Sequence, residues 1–366
     1  MTLEILWFCV ICFFWTGYFV LEGFDFGVGI LLPVLGRTEA DRRTMFTSIG
    51  PVWDANEVWL IVAGGATFAA FPLWYSTMFS GFYLALLLIL LLLIVRVLSF
   101  EWRSKAENPR WRALWTTTNT VGSIGAPVVW GIALANLLQG VPINADKTYA
   151  GNFGDLFSVY TVAGGIAVLV LFAFHGAVFL TLRTEDGLRE RSRQVATRLG
   201  PVAVVVGAAF LVWTLSVAAD SNDRSLFPGV VVVALAAIAV VTAVWAVRAG
   251  RERLAFAATA STIGLTVVTL FVSLYPRVMV SSPSFENSLT IGNASSAHYT
   301  LTVMTIVAVV MTPVVLLYQG WTYHVFRARV GGTQPAANPV DLIAPKAGPP
   351  ASGTPPAGSS PADRDG

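Results

Sequence analysis

The chain has 366 residues, 55% hydrophobic and 12% charged, with a formal net charge of only +2, whereas soluble globular proteins carry about 25% charged residues. That balance excludes an ordinary soluble protein and leaves no basic footprint for nucleic acid. It calls for a lipid bilayer as solvent.

Crossing a hydrocarbon core of about 30 Å takes about 20 apolar residues, and the sequence offers nine such runs, at roughly 5–35, 52–71, 77–100, 119–139, 160–182, 200–218, 228–247, 256–275 and 300–323. The first is too long for a cleavable signal peptide, contains acids, and lacks a basic leader or a small-residue cleavage site, so it reads as a retained span. Cys9 and Cys12 lie in it at i, i+3. Phe13 stands where haem attachment would need His, and no second pair completes a zinc site, so they read as packing residues and no metal site is expected. The span closes on LEGFDFGVG, where Glu22 and Asp25 sit among glycines that let helices approach closely.

The second run opens on GPVWDANEVWLIVAGG. Asp54 and Glu57 are one turn apart, which sets both carboxyls toward one face of a helix, with Trp53 and Trp59 flanking them. An ionised group at the bilayer centre costs roughly 2.5 to 3.5 kcal/mol on insertion scales, so such residues are functional or paired. Arg96, interrupting LALLLILLLLIVRVLSF, is the expected counter-charge. Counting residues from the span ends orders the acids by depth as Asp54, Glu57, Asp25 and Glu22, with Arg96 level with the first two. Two readings follow: a stepwise proton route through four carboxyls, or a buried ion pair that holds three helices in register.

Further along, FEWRSKAENPRWRALW reads as a basic, aromatic interfacial anchor. Asn136 and Gln139 read as interhelical hydrogen-bonding groups near the far end of the fourth span. His175, the only histidine in a span interior, is expected to be a hydrogen-bonded structural residue. His298 and His324 fall at opposite ends of the ninth span and do not share a site. After Arg329 the composition shifts to Pro, Gly, Ala and Ser, the signature of a disordered tail.

Basic residues mark alternate loops. Nineteen of the 23 lie in 36–51, 101–118, 183–199, 248–255 and the stretch after the last span, while the intervening loops hold Lys147, Arg224 and Arg277. By the positive-inside rule the N-terminus is outside and the C-terminus cytoplasmic. The expected fold is an all-α integral membrane protein of nine transmembrane helices, arranged as two four-helix bundles plus one peripheral helix. Its parts are 1–139 and 140–275 for the two bundles, 276–330 for an external loop and the ninth helix, and 331–366 for the tail.

The series GFDFGVG, GPVWDANEVWLIVAGGATFAAFP, SGFY, Arg96 followed by WRSK, ANLLQG, and YPRVMVSSPSFENSLTIGNASSAHYTLTVM resembles subunit II of the cytochrome bd-type quinol oxidases, over about residues 10–323. The resemblance implies a subunit of the bacterial inner membrane that packs against subunit I. There the pair oxidises quinol and reduces O2 to water electrogenically, without pumping, and draws protons from the cytoplasm. It also implies that haem b and haem d reside in subunit I and none in this chain, in keeping with a single mid-span histidine. By the same resemblance Asp25, Asp54 and Arg96 match polar intramembrane positions of the family, and Asp54 with Trp53 is the best candidate for a contribution of this subunit to the proton path leading to the haems of the partner. Glu22 matches an acidic position, and Glu57 stands where relatives can carry an amide. A structural quinone is known in some relatives and is compatible with this chain, small accessory subunits are left open, and the aromatic and aliphatic lining is compatible with an apolar route for O2. The competing classes are a proton-coupled secondary transporter using Asp25, Asp54, Glu57 and Arg96, and a purely structural partner subunit.

Overall fold

In the computed structural model the described residues are 2–221, 225–282 and 284–331. The expected tail, from residue 332 on, lies outside them, as does Arg224. Eight helices among the described residues are long and apolar enough to cross a membrane. They are α1 (Leu3–Leu35), α5 (Tyr83–Trp102), α6 (Pro109–Gln139), α7 (Val159–Arg183), α8 (Asp186–Ser221), α9 (Phe227–Arg248), α10 (Glu252–Leu274) and α11 (His298–Val325). The remaining crossing is a bent pair, α3 (Trp53–Ala70) and α4 (Pro72–Gly81), whose axes meet at 119°. Pro72 opens α4, where a missing N–H costs no hydrogen bond. The apolar run at 77–100 is therefore two pieces, the end of α4 and then α5.

Three features were not expected. Residues 36–51 are mostly a short helix, α2 (Glu39–Ile49), begun by a reciprocal capping box between Thr38 and Asp41. The helices α6 and α8 start well before their apolar cores, at Pro109 and Asp186. The loop before α11 contains a small antiparallel pair, β1 (Arg277–Met279) and β2 (Leu289–Thr290).

At the heart of the bundle is α1, which packs against α3, α6, α7 and α10. Its approach to α7 is set by glycine: a Cβ on Gly27 would stand 2.1 Å from the Phe172 carbonyl and 2.7 Å from the Gly176 Cα. Within the second half, α7 packs on α8 and α9 on α10. In contrast α11 buries only Leu301, Gln319 and Thr322 within the chain.

Ion pairs gather one set of loops at one end of the bundle. Arg103 joins Glu39 at 2.7 Å, Arg191 joins Asp41 at 2.5 Å, and Glu252 receives both Arg189 at 2.7 Å and Arg329 at 2.5 Å. The opposite end is tied by Val141 N to Val280 O at 3.1 Å, Asn287 Nδ2 to Ile143 O at 3.0 Å and Ser296 N to Ala70 O at 2.8 Å. The basic loops thus share one end, and the start of α1 and the end of α11 lie at opposite ends.

Candidate functional site

Arg96 comes from the last third of α5 and is fully buried. Its Nη1 lies 2.5 Å from Glu22 Oε1 on α1 and 2.7 Å from Glu57 Oε1 on α3. Phe26 and Phe100 receive the guanidinium on their ring faces, 4.5 Å and 5.5 Å from the centroids. One cation thus meets two carboxyls in an aromatic cage, where weak screening makes each charge count heavily. Arg96 O accepts from Ser99 Oγ at 2.5 Å, and Asn119 Nδ2 donates to Ser99 Oγ at 2.8 Å, so α6 braces the arginine from behind.

Beside this cluster Asp25 is equally buried. Its Oδ2 accepts from Asn56 Nδ2 at 2.7 Å. Asn56 Oδ1 in turn accepts from Tyr323 Oη at 2.7 Å and from Gln319 Nε2 at 3.1 Å, both on α11. Sequence reasoning passed over Asn56, Gln319 and Tyr323, because an amide or phenol in an apolar run carries no charge to flag it. Their signal was positional: Asn56 is the one polar side chain between Asp54 and Glu57. Several valences remain open in the site. Glu22 Oε2, Asp25 Oδ1, Arg96 Nε and Nη2 and Tyr18 Oη are buried without a hydrogen-bond partner among the described residues.

The structure therefore brings Glu22, Asp25, Glu57 and Arg96 together and leaves Asp54 apart. Glu22 and Glu57 share one guanidinium instead of standing at successive depths. Asp54 is exposed on the outer face of α3. Trp53 is half-buried and stacks on Phe100 at 5.0 Å with the planes 4° apart, backing the ring that covers Arg96.

The other polar residues are accounted for by the packing. Asn136 Nδ2 donates to Ile132 O at 2.9 Å and to Leu156 O at 2.8 Å, and Gln139 Oε1 accepts from Ser158 Oγ at 2.6 Å. His175 is fully buried between Phe24 and Phe256. Its Nε2 lies 3.3 Å from the Val20 carbonyl and its Nδ1 2.7 Å from Thr259 Oγ1, both within hydrogen-bonding distance. Both ring nitrogens are engaged, and axial ligation of a haem needs one of them for iron. His298 and His324 are exposed at the two ends of α11. Among the described residues no group of three or more His, Cys, Asp or Glu is placed to hold a metal ion.

A family model described as cytochrome bd terminal oxidase subunit II matches residues 3–326. The chain belongs to that family. It is 40% identical over 337 residues to the cytochrome bd ubiquinol oxidase subunit 2 of Bacillus subtilis (strain 168), covering 91% of this chain and 98% of the relative. It is 36% identical over 360 residues to the cytochrome bd-I ubiquinol oxidase subunit 2 of Escherichia coli (strain K12), covering 90% and 95%. In fold it is similar to a chain of the bd oxidase structure from Geobacillus thermodenitrificans, with a TM-score of 0.74 and 17% identity over 89% of this chain and 99% of that one. As a bd oxidase subunit II, the chain presupposes a partner subunit I.

Proposed function

We propose that this chain is the haem-free subunit of an inner-membrane quinol:O2 oxidoreductase, which supports a haem-bearing subunit I and supplies it with protons from the cytoplasm. The quinol substrate is in keeping with the named relatives, which are ubiquinol oxidase subunits, whereas O2 reduction to water, electrogenic turnover and the placement of haem b and haem d in the partner are what the resemblance to the family implies. The arrangement as two four-helix bundles plus one helix rests on the succession of spans, and the N-terminus outside on the positive-inside rule. The observation that supports the proton role is the buried cluster itself: Glu22, Glu57 and Asp25 gather around a single cation, Arg96. One guanidinium balances one carboxylate, so the surplus acids hold either protons or unbalanced charge in a place where charge is costly.

Two entries to the partner are available. Asp25 connects through Asn56 to Tyr323, and Asp54 stands exposed on α3 beside Trp53. The reading is tested by quinol-driven O2 uptake in Asp25→Asn and Asp54→Asn, with haem content measured on the same samples. Turnover is expected to fall at full haem content in at least one of them. A second reading, a purely structural subunit, is favoured by the contact of Arg96 with acids from two other helices. It predicts full turnover in both variants whenever the complex assembles.

A further inference from the structure

Between α7, α10 and α11, at the end of the bundle that carries the basic loops, lies a cavity of about 1070 Å³. Its rim holds Arg183, Arg251, Arg253, Arg327 and Arg329 against one carboxylate, Glu252. Its floor is apolar and aromatic, with Phe179, Leu182, Leu254, Phe256 and Phe326. Part of the rim is fixed in place. Arg329 Nη1 donates to Thr184 O at 2.8 Å and to Thr181 O at 3.1 Å while its Nη2 meets Glu252 at 2.5 Å, and Arg183 donates to the Ala328 carbonyl. The rest faces no counter-charge: neither Arg253 nor Arg327 meets a carboxylate among the described residues and both are exposed, although Arg327 Nη1 donates to the His324 carbonyl at 2.7 Å.

We infer that this cavity is a binding site for an anionic phospholipid, with the phosphate among the arginines and an acyl chain over the aromatic floor. Planar guanidinium groups suit phosphate oxygens, and basic pockets between transmembrane helices are where anionic headgroups dock. A free inorganic anion leaves the apolar floor uncovered, and a zwitterionic lipid brings its own cation and so offsets none of the net rim charge, which an anionic headgroup offsets in part. The occupant also has a way in, because α11 buries only three residues within the chain and borders the cavity through Tyr323 and Phe326. The same Tyr323 donates to Asn56, so the lipid would rest against the polar group that leads to Asp25.

The test is native mass spectrometry of the purified complex in detergent, titrated with phosphatidylglycerol or phosphatidylcholine. The wild type is expected to retain phosphatidylglycerol in preference to phosphatidylcholine. Arg253→Gln with Arg327→Gln is expected to weaken that retention by about thirtyfold, the effect of two basic side chains at a membrane surface. Arg253→Lys with Arg327→Lys should restore most of it, and Arg193→Gln, on an exposed arginine paired with Glu190, should change nothing. Equal retention by wild type and the Gln variant overturns the inference. So does equal retention of the two lipids, displacement of the lipid by inorganic phosphate at equal concentration, or a cavity already filled by the chain's own C-terminal residues.

Discussion

Arg96 is placed so that its removal cannot be absorbed by water. It is fully buried and contacts Glu22 and Glu57 from two other helices. Taking away one partner of a buried ion pair costs about 3 to 5 kcal/mol, because the remaining charge is stranded. Arg96→Gln is therefore expected to lower the thermal unfolding midpoint of the purified complex sharply, and Arg96→Lys by less, since an ammonium keeps the charge but reaches fewer acceptors. Midpoints unchanged in both variants would mean that the cluster is wet and loosely held. At this scale the sequence exposed the charges but not their grouping. Successive residues of a helix turn by about 100°, so Asp54 and Glu57 are offset by about 60° although they share a side. That offset puts Glu57 at the seam with α5 while Asp54 faces out. Asn56, on the opposite side from Asp54, points at α1 and Asp25. Which side of α3 would meet α1 depended on packing that charge positions alone do not encode.

Elements were legible where hydropathy alone decides them. The apolar cores of α1, α6, α7, α9, α10 and α11 fall where a bilayer-length run requires. What was missed depends on local chemistry instead: α2 is polar, and its start is set by Thr38 and Asp41, while α4 mixes Ser, Thr and Tyr with its apolar residues and is separated from α3 by the bend at Phe71 and Pro72. The polar early turns of α8 continue a helix into water, where an apolar window sees nothing. Two predictions belong to this scale. Gly27→Ala places a methyl 2.1 Å from the Phe172 carbonyl. Backbone cannot yield as a side chain does, so a loss of at least about 1 to 3 kcal/mol is expected, read as a lower unfolding midpoint and weaker assembly with the partner. Full stability would require α1 and α7 to be less closely packed. In α2, burial works to raise the Asp41 pKa, but the Thr38 backbone and hydroxyl and Arg191 outweigh it and hold the carboxyl below the usual range. Its contribution is present above the unfolded value of about 3.9 and is lost as pH falls through the lower folded value. Amide protection of 39–49 should be flat from about pH 7 to 5 and fall only under strongly acid conditions. In Asp41→Asn it should be reduced throughout, by no more than about 1 kcal/mol for so wet a pair.

For the whole molecule, the alternation of basic loops becomes a spatial fact once Glu39, Asp41 and Glu252 draw Arg103, Arg191, Arg189 and Arg329 to one end. Those pairs are worth little individually. Their value is as landmarks: the charge count along the chain and the three-dimensional gathering of loops agree on which end is basic. The proposed orientation puts that end in the cytoplasm, because translocating short basic loops is disfavoured. The same end carries the arginine-rimmed cavity and the Tyr323 side of the Asn56–Asp25 connection, so proton entry and headgroup binding would share one membrane face. The assignment is checked by single cysteines in a Cys9→Ser, Cys12→Ser background, treated in intact cells with a membrane-impermeant maleimide. Asp155→Cys, in the exposed stretch before α7, is expected to label directly, and Glu190→Cys, exposed near the start of α8, only after the membrane is opened. The reverse pattern would put the basic end outside, and with it the acids around Arg96 would open toward the wrong compartment to take up cytoplasmic protons.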